Sequence, residues 1–212
     1  MGPLWPEKLR RKKMNSKQTK KMVGIATLSA IVVVLQLIAN YIPGPGGVSI
    51  TLALIPLVIG SIIYGATGGA ILGVIMGGII LTAPSTSSFL NVNPVVTVFL
   101  CLIKTGAAGA ISGLVFNLFK NKNLKLAVVL ATIIAPIVNT GLFACGCIIF
   151  FMDTLKAWAG GSDAIAFLFL TMIGINFVVE FIINSILSPT VLYIVKVVSK
   201  NFNIGSNLDL KE

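Results

Sequence analysis

The sequence predicts an all-α integral membrane protein with six transmembrane helices and both termini on the cytoplasmic side. Three observations predict it. Of 212 residues, 56% are hydrophobic and only 10% are charged, with a mean hydropathy of +1.00. A soluble domain carries about 25% charged residues, so this chain lacks the charge to cover a water-facing surface. Its apolar residues fall in long continuous runs, close to the roughly 20 residues that a helix needs to cross a bilayer. A transmembrane barrel would alternate apolar and polar residues instead. Finally, the basic residues gather outside those runs, eight of them before the first, from Lys8 to Lys21.

Six spans follow in order. The first is Met22 to Ile42, ended by the breaker Pro43-Gly44-Pro45-Gly46-Gly47. The second, Ser49 to Tyr64, is short and contains Pro56; the third runs from Ala66 to Ala83 and stops at Pro84-Ser85-Thr86-Ser87-Ser88. The fourth is Pro94 to Phe119, with proline at a favoured helix start. The fifth is Leu124 to Met152 with Pro136 inside, and the sixth is Ala164 to Val198 with Pro189 inside. The chain thus divides into a basic cytoplasmic segment (1–21), a six-helix membrane domain (22–198) and a cytoplasmic tail (199–212). Residues 1–21 do not read as a cleavable signal, because the apolar run after them is too long and no small-x-small site ends it. Met14 offers an alternative start that would make 1–13 an extension.

Lysine and arginine set the orientation. The N-terminus, the loop with Lys120, Lys122 and Lys125, and the tail with Lys196 and Lys200 fall on one side. The other side has loops Pro43–Val48, Pro84–Asn93 and Asp153–Asp163, with Lys156 as their one base. Cytoplasmic loops carry the excess of positive charge, which puts both termini inside. The N-terminal cluster therefore reads as an orientation signal that also meets anionic headgroups. It has no interleaved aromatic residues, which argues against nucleic acid.

Several chemistries are missing. The chain has no histidine, which weakens zinc, haem and histidine-base hypotheses. Cys101, Cys145 and Cys147 sit in apolar runs, and the last two, two residues apart, point to different helix faces. They read as packing residues, and no metal site is expected. There is no Gly-rich phosphate loop ending in Lys-Ser/Thr, no Ser/His/Asp set and no acid pair, so no catalytic residue is assigned.

Two patterns carry function. One is small residues four apart: Ala26 and Ala30 in the first span, Gly69, Gly73 and Gly77 in the third, Gly109 and Gly113 in the fourth. In lipid this spacing lets helix backbones approach closely. For the fourth span it implies packing within the chain; in the first span it implies a face for a partner. The other pattern is polarity inside the membrane. Lys104 lies about ten residues, or about 15 Å, into the fourth span, and Glu180 lies mid-way along the sixth. A charge at that depth costs about 2.5–3.5 kcal/mol on insertion scales, so it faces a partner or a cavity. Either the two form a structural ion pair, or Lys104 receives an anionic ligand group that Glu180 helps to hold. Gln36, Asn40, Thr97, Asn139 and Asn176 stand at similar depth, Asn176 and Glu180 on one face. Together they suggest a polar pocket opening toward the outer loops.

The layout resembles the substrate-binding S component of an energy-coupling factor (ECF) vitamin transporter. The resemblance rests on six spans of this length, on Ala26-Thr-Leu-Ser-Ala30, and on the run from Ser49-Ile-Thr-Leu-Ala-Leu-Ile-Pro through Tyr64-Gly-Ala-Thr-Gly-Gly to Gly73. It implies a multi-pass protein of the bacterial plasma membrane that is no enzyme and holds no cofactor. Such a component captures a vitamin outside, then joins a membrane coupling protein and two cytoplasmic ATPases that use ATP and magnesium. It implies that Ala26 and Ala30 pack on the coupling protein and that the three outer loops close over the ligand. The stretches Asn91-Val-Asn93-Pro94, Lys104-Thr-Gly and Pro136-Ile-Val-Asn139-Thr-Gly are similar to the pantothenate-type branch. The expected substrate-binding set is thus Lys104, Asn139, Asn176, Glu180, Asn93, Asn91, Thr97 and Gln36. Few aromatic residues are expected at the pocket, the candidates being Phe89, Phe99, Phe143, Phe177 and Trp158, which argues against a flat ring that needs stacking. The alternatives are another vitamin (folate, riboflavin or a thiamine-related one), a stand-alone carrier outside the ECF class, or a structural subunit.

Overall fold

The computed structural model describes residues 16–42 and 53–202, and among these the chain is helical with no strand. Helix α1 spans Ser16–Asn40, α2 Leu54–Ile80, α3 Pro84–Val92, α4 Pro94–Phe119, α5 Leu124–Phe150 and α6 Met152–Trp158. A single turn, α7 (Ala164–Ala166), leads through a π-helical segment, Phe167–Ile173, into α8, Gly174–Phe202. Five stretches are long and apolar enough to cross a membrane: Gln18–Asn40, Leu54–Ile80, Pro94–Phe119, Leu124–Phe150 and Ala164–Val198. The expected second and third spans are one element, α2, broken at Gly65.

Gly65 has φ 80° and ψ −179°, a conformation almost confined to glycine. The two halves of α2 fold back on each other there. A Cβ on Gly68 would stand 3.5 Å from the Gly60 carbonyl oxygen, and Leu72 packs directly on Gly60. In a straight helix, residues 60 and 68 would be about 12 Å apart. Pro56 is tolerated because it lies in the first turn of α2, where backbone N–H groups lack helical partners anyway.

Other boundaries shift for local reasons. α1 starts at Ser16, before the apolar run, because Lys20 and Lys21 are good helix formers that extend it into the exposed region. The basic N-terminal residues before Ser16 and the loop Pro43–Val48 lie outside the described residues. The other two loops expected on the outside are largely helical. Pro84 opens α3 at its first position, where it loses no hydrogen bond. In α6, Asp153 stands in the first turn and Lys156 in the last, matching the helix dipole, with Lys156 Nζ 3.3 Å from Asp153 Oδ1. Asn93, Asn123 and Asp163 cap α4, α5 and α7, each accepting a backbone N–H three residues on, from Val96 at 3.1 Å, Leu126 at 3.1 Å and Ala166 at 2.7 Å.

Among the five long apolar helices α2 is the most buried and α1 the least. The most extensive helix contact is α2 with α4, and it is built from backbone. A Cβ on Gly69 would meet the Gly109 carbonyl, one on Gly73 would stand 2.7 Å from Gly106 Cα, and one on Gly77 would stand 2.6 Å from the Cys101 carbonyl oxygen. Gly113 faces Ala66, its Cβ position 2.7 Å from the Ala66 nitrogen. The glycine stripes of both elements therefore serve internal packing, where contact area replaces the missing hydrophobic drive. Two apolar clusters result. One joins α2 to Phe116, Val128, Ala131, Val191 and Val195. The other joins Phe89, Phe151, Leu155, Leu168 and Met172 near α3 and α6.

A side chain in the α2–α4 seam forces these backbones apart. Gly109→Leu is expected to cost at least about 1–3 kcal/mol, seen as a clear drop in Tm in detergent. Gly78→Ala, where a Cβ meets nothing within 4 Å, is the control expected to leave Tm unchanged.

Candidate functional site

A pocket lies where the two apolar clusters meet. It holds about 810 Å³ of space not filled by atoms, with the open solvent at its mouth included. Its walls come from the C-terminal ends of α1, α2 and α5, from α3, and from the N-terminal parts of α4 and α8. All of these lie at one end of the bundle. The lysines of α1 and of the α4–α5 loop lie at the other.

The structure brings together six of the eight expected side chains: Gln36, Thr97, Lys104, Asn139, Asn176 and Glu180 all line the pocket. Each of these except Lys104 is at least nine-tenths buried. Asn91 and Asn93 do not line it. Both are exposed, and the Asn93 side chain is occupied as the cap of α4 while its carbonyl accepts from Thr97 Oγ1 at 2.8 Å.

Local geometry positions these groups. Gln36 Nε2 donates to Asn40 Oδ1 at 2.9 Å. Asn40 Nδ2 in turn donates to the Ile79 carbonyl at 2.9 Å and to Thr82 Oγ1 at 3.0 Å, which ties α1 to the end of α2. This network leaves Gln36 Oε1 buried without a hydrogen-bond partner, and Asn139 Oδ1 is in the same state. A buried polar atom without a partner costs about 1–3 kcal/mol, so the pocket presents two acceptors that a ligand donor would satisfy. In the same wall, Lys104 Nζ sits over the face of Phe143, 4.5 Å from the ring centroid. That cation–π contact holds the ammonium in the cavity. Asn176 Nδ2 donates to the Met172 carbonyl at 3.1 Å, which fixes the amide beside the π-helical segment.

The roof is aromatic. Phe89 of α3 packs edge-on against Phe143 (5.7 Å between centroids), Phe151 (5.2 Å) and Trp158 (5.1 Å). Phe89, Phe143, Phe151 and Phe177 all line the pocket, so it is richer in aromatic rings than expected. Phe99 instead points outward, 60% exposed, and Trp158 backs Phe89 without lining the pocket. Sequence reasoning missed Phe151, Thr86 and Thr140, which line the pocket from segments whose fold was not foreseen or beside a predicted residue. Cys101 is also in the wall; Cys145 is exposed while Cys147 is buried, and all three are free thiols. Among the described residues no group of histidine, cysteine, aspartate and glutamate is arranged to hold a metal.

Ala26 and Ala30 are exposed on α1, beside Val23, Thr27, Ile31 and Val34. The opposite face of the helix carries buried Val32, Gln36, Ala39 and Asn40. The Thr27 and Ser29 hydroxyls donate to carbonyls one turn back, at 3.0 and 2.8 Å, so neither needs an outside partner.

Comparison with known proteins agrees with this architecture. The pantothenic acid transporter PanT of Lactococcus lactis subsp. cremoris (strain MG1363) is 28% identical over an aligned length of 194 residues, covering 84% of this chain and 94% of that protein. The family described as ECF transporter, substrate-specific component, matches residues 20–192. With a match over most of its length, five apolar membrane helices and a polar pocket between them, the chain belongs to the ECF transporter substrate-specific component family.

Proposed function

We propose that this protein captures pantothenate from outside the bacterial plasma membrane and delivers it inward through a membrane coupling protein driven by two ATPases. The observation that carries this is the pairing of one cation, Lys104, with unpartnered buried amide oxygens on Gln36 and Asn139. Pantothenate has one carboxylate, one amide N–H and two hydroxyls. Its carboxylate suits the Lys104 ammonium, since a charge-assisted hydrogen bond in a water-poor site is about twice as strong as a neutral one. Its hydroxyls and N–H suit the two amide oxygens. Phe89 packs edge-to-face on Phe143 and Phe151, so these rings are engaged with one another across the roof. The likeness to a pantothenic acid transporter points the same way.

In this reading the two halves of α2 on either side of Gly65 each count as a crossing, giving six, and the basic end of the bundle faces the cytoplasm. The pocket then opens outward beneath α3 and α6. Ala26 and Ala30 form the coupling face, because exposed small residues let a partner helix come close. ATP hydrolysis belongs to the partner subunits.

The purified chain is expected to bind pantothenate tightly, with no displacement by riboflavin, folate or thiamine; tight binding of one of those with none of pantothenate discards the reading. Lys104→Ala is expected to raise the pantothenate Kd about 10- to 100-fold with Tm unchanged, measured by calorimetry in nanodiscs. Ala26→Trp and Ala30→Trp are expected to abolish uptake in cells while binding persists. Equal loss of both would count against a partner face.

A further inference from the structure

We propose that Asn40 is a positioning residue that makes the Gln36 corner of the pocket an acceptor only. It turns the Gln36 amide so that the ligand must bring a hydrogen-bond donor there, and it gives the ligand no donor of its own. This rests on pantothenate capture by the pocket and adds the residue that sets what one corner of it selects.

The direction of the hydrogen-bond chain is fixed at its far end. Ile79 lies in the last turn of α2, where carbonyls lack their regular helical partner. A backbone carbonyl can only accept. This one accepts from Asn40 Nδ2 at 2.9 Å and from the Thr82 hydroxyl at 2.8 Å. The Thr82 proton is thereby used, so Thr82 Oγ1 is an acceptor toward Asn40, whose Nδ2 donates to it at 3.0 Å. Both N–H groups of the Asn40 side chain are then taken. Its Oδ1 faces Gln36, one turn earlier on α1, and that oxygen can only accept. Gln36 must therefore present Nε2, which donates at 2.9 Å. What is left for the pocket is Gln36 Oε1, buried and without a partner.

The reverse arrangement fails at a definite place. Turning Gln36 alone sets its Oε1 against Asn40 Oδ1, two acceptors with no proton between them. Turning Asn40 as well sets its Oδ1 against the Ile79 carbonyl, with the same result. Gln36 is 1% exposed and Asn40 5%, so bulk water does not repair either clash, and an unmade bond is costly in such a place. A backbone carbonyl at the end of α2 thus dictates, through two amides of α1, the polarity of a group in the ligand site. A ligand hydroxyl or N–H is accepted at Gln36, and a carbonyl or ether oxygen in the same place is refused.

The test uses the full chain in nanodiscs with its glutamines isotopically labelled in the side-chain amide. There are two, and Gln18, exposed near the start of α1, is the reference. Pantothenate is expected to shift the Gln36 carbonyl signal in the NMR spectrum far more than the Gln36 N–H₂ signals, because the oxygen gains a partner while the nitrogen keeps Asn40. The opposite pattern overturns the proposal from the wild type alone, even if a variant does not fold. Affinity supplies the second readout. Three analogues each lose one donor and keep an oxygen: a ketone for the secondary hydroxyl, a methyl ether for the terminal one, and an ester for the amide. At least one is expected to bind the wild type at least about tenfold more weakly than pantothenate. In Asn40→Leu that penalty is expected to shrink by at least about fivefold, because the freed Gln36 amide can turn its N–H₂ to the ligand. In Asn40→Asp it is expected to persist, because a carboxyl oxygen still accepts from Gln36. A penalty unchanged in Asn40→Leu, or lost equally in both variants, overturns the role of Asn40. Wild type that binds no pantothenate overturns the functional reading instead.

Discussion

Hydrocarbon offers no hydrogen bonds, so every polar group carried into the membrane must find protein, water or a ligand. Several short hydroxyls settle their own needs: Ser61, Thr105 and Thr132 each donate to a carbonyl one turn back, at 2.8 Å. They ask nothing of the tertiary structure. Gln36, Asn139, Asn176 and Lys104 instead meet around one cavity. In its wall the oxygens of Gln36 and Asn139 are left without a partner. In a membrane such leftovers destabilise, unless something that binds there completes them.

The shape of that cavity follows from the seam between α2 and α4. Glycines on both helices bring the backbones into contact from Gly113 and Ala66 outward to Gly77 and Cys101. No side chain separates them along this line, so the bundle is tight there. The pocket begins where the seam stops, at Cys101, with Ile80, Thr97 and Leu100 next in its wall. The fold-back at Gly65 makes the seam possible, because it lets one element present two packed halves. The apolar cluster around α3 and α6 then roofs the opening with Phe89 as its hub.

α1 stands apart from this economy of packing. It is the least buried long helix, yet it sends Gln36 and Asn40 into the pocket and anchors them through Ile79 and Thr82. Its other face shows two alanines where a lipid-facing helix would gain contact from larger side chains. One element thus lines the pocket with one face and shows its other face to the surroundings.

The sequence by itself determined that the chain is helical and lipid-embedded, because charge poverty and run length admit nothing else. It also determined which residues had to be enclosed: Lys104, Glu180 and the amides were conspicuous because hydrocarbon penalises them wherever they fall. Their meeting in one wall was legible only as an expectation, since the depth of a residue along its span says nothing of which way it faces. The tertiary structure decided that six of them converge while Asn91 and Asn93 stay outside, the latter claimed by the local need to cap α4. It also decided that α3 and α6 are helices carrying the roof. A short polar segment reads as loop in sequence, and only its burial against Phe143, Phe151 and Trp158 gives Phe89 a reason to be held. Periodicity is a property of one helix. Enclosure belongs to several helices at once, and it comes from where their backbones can touch.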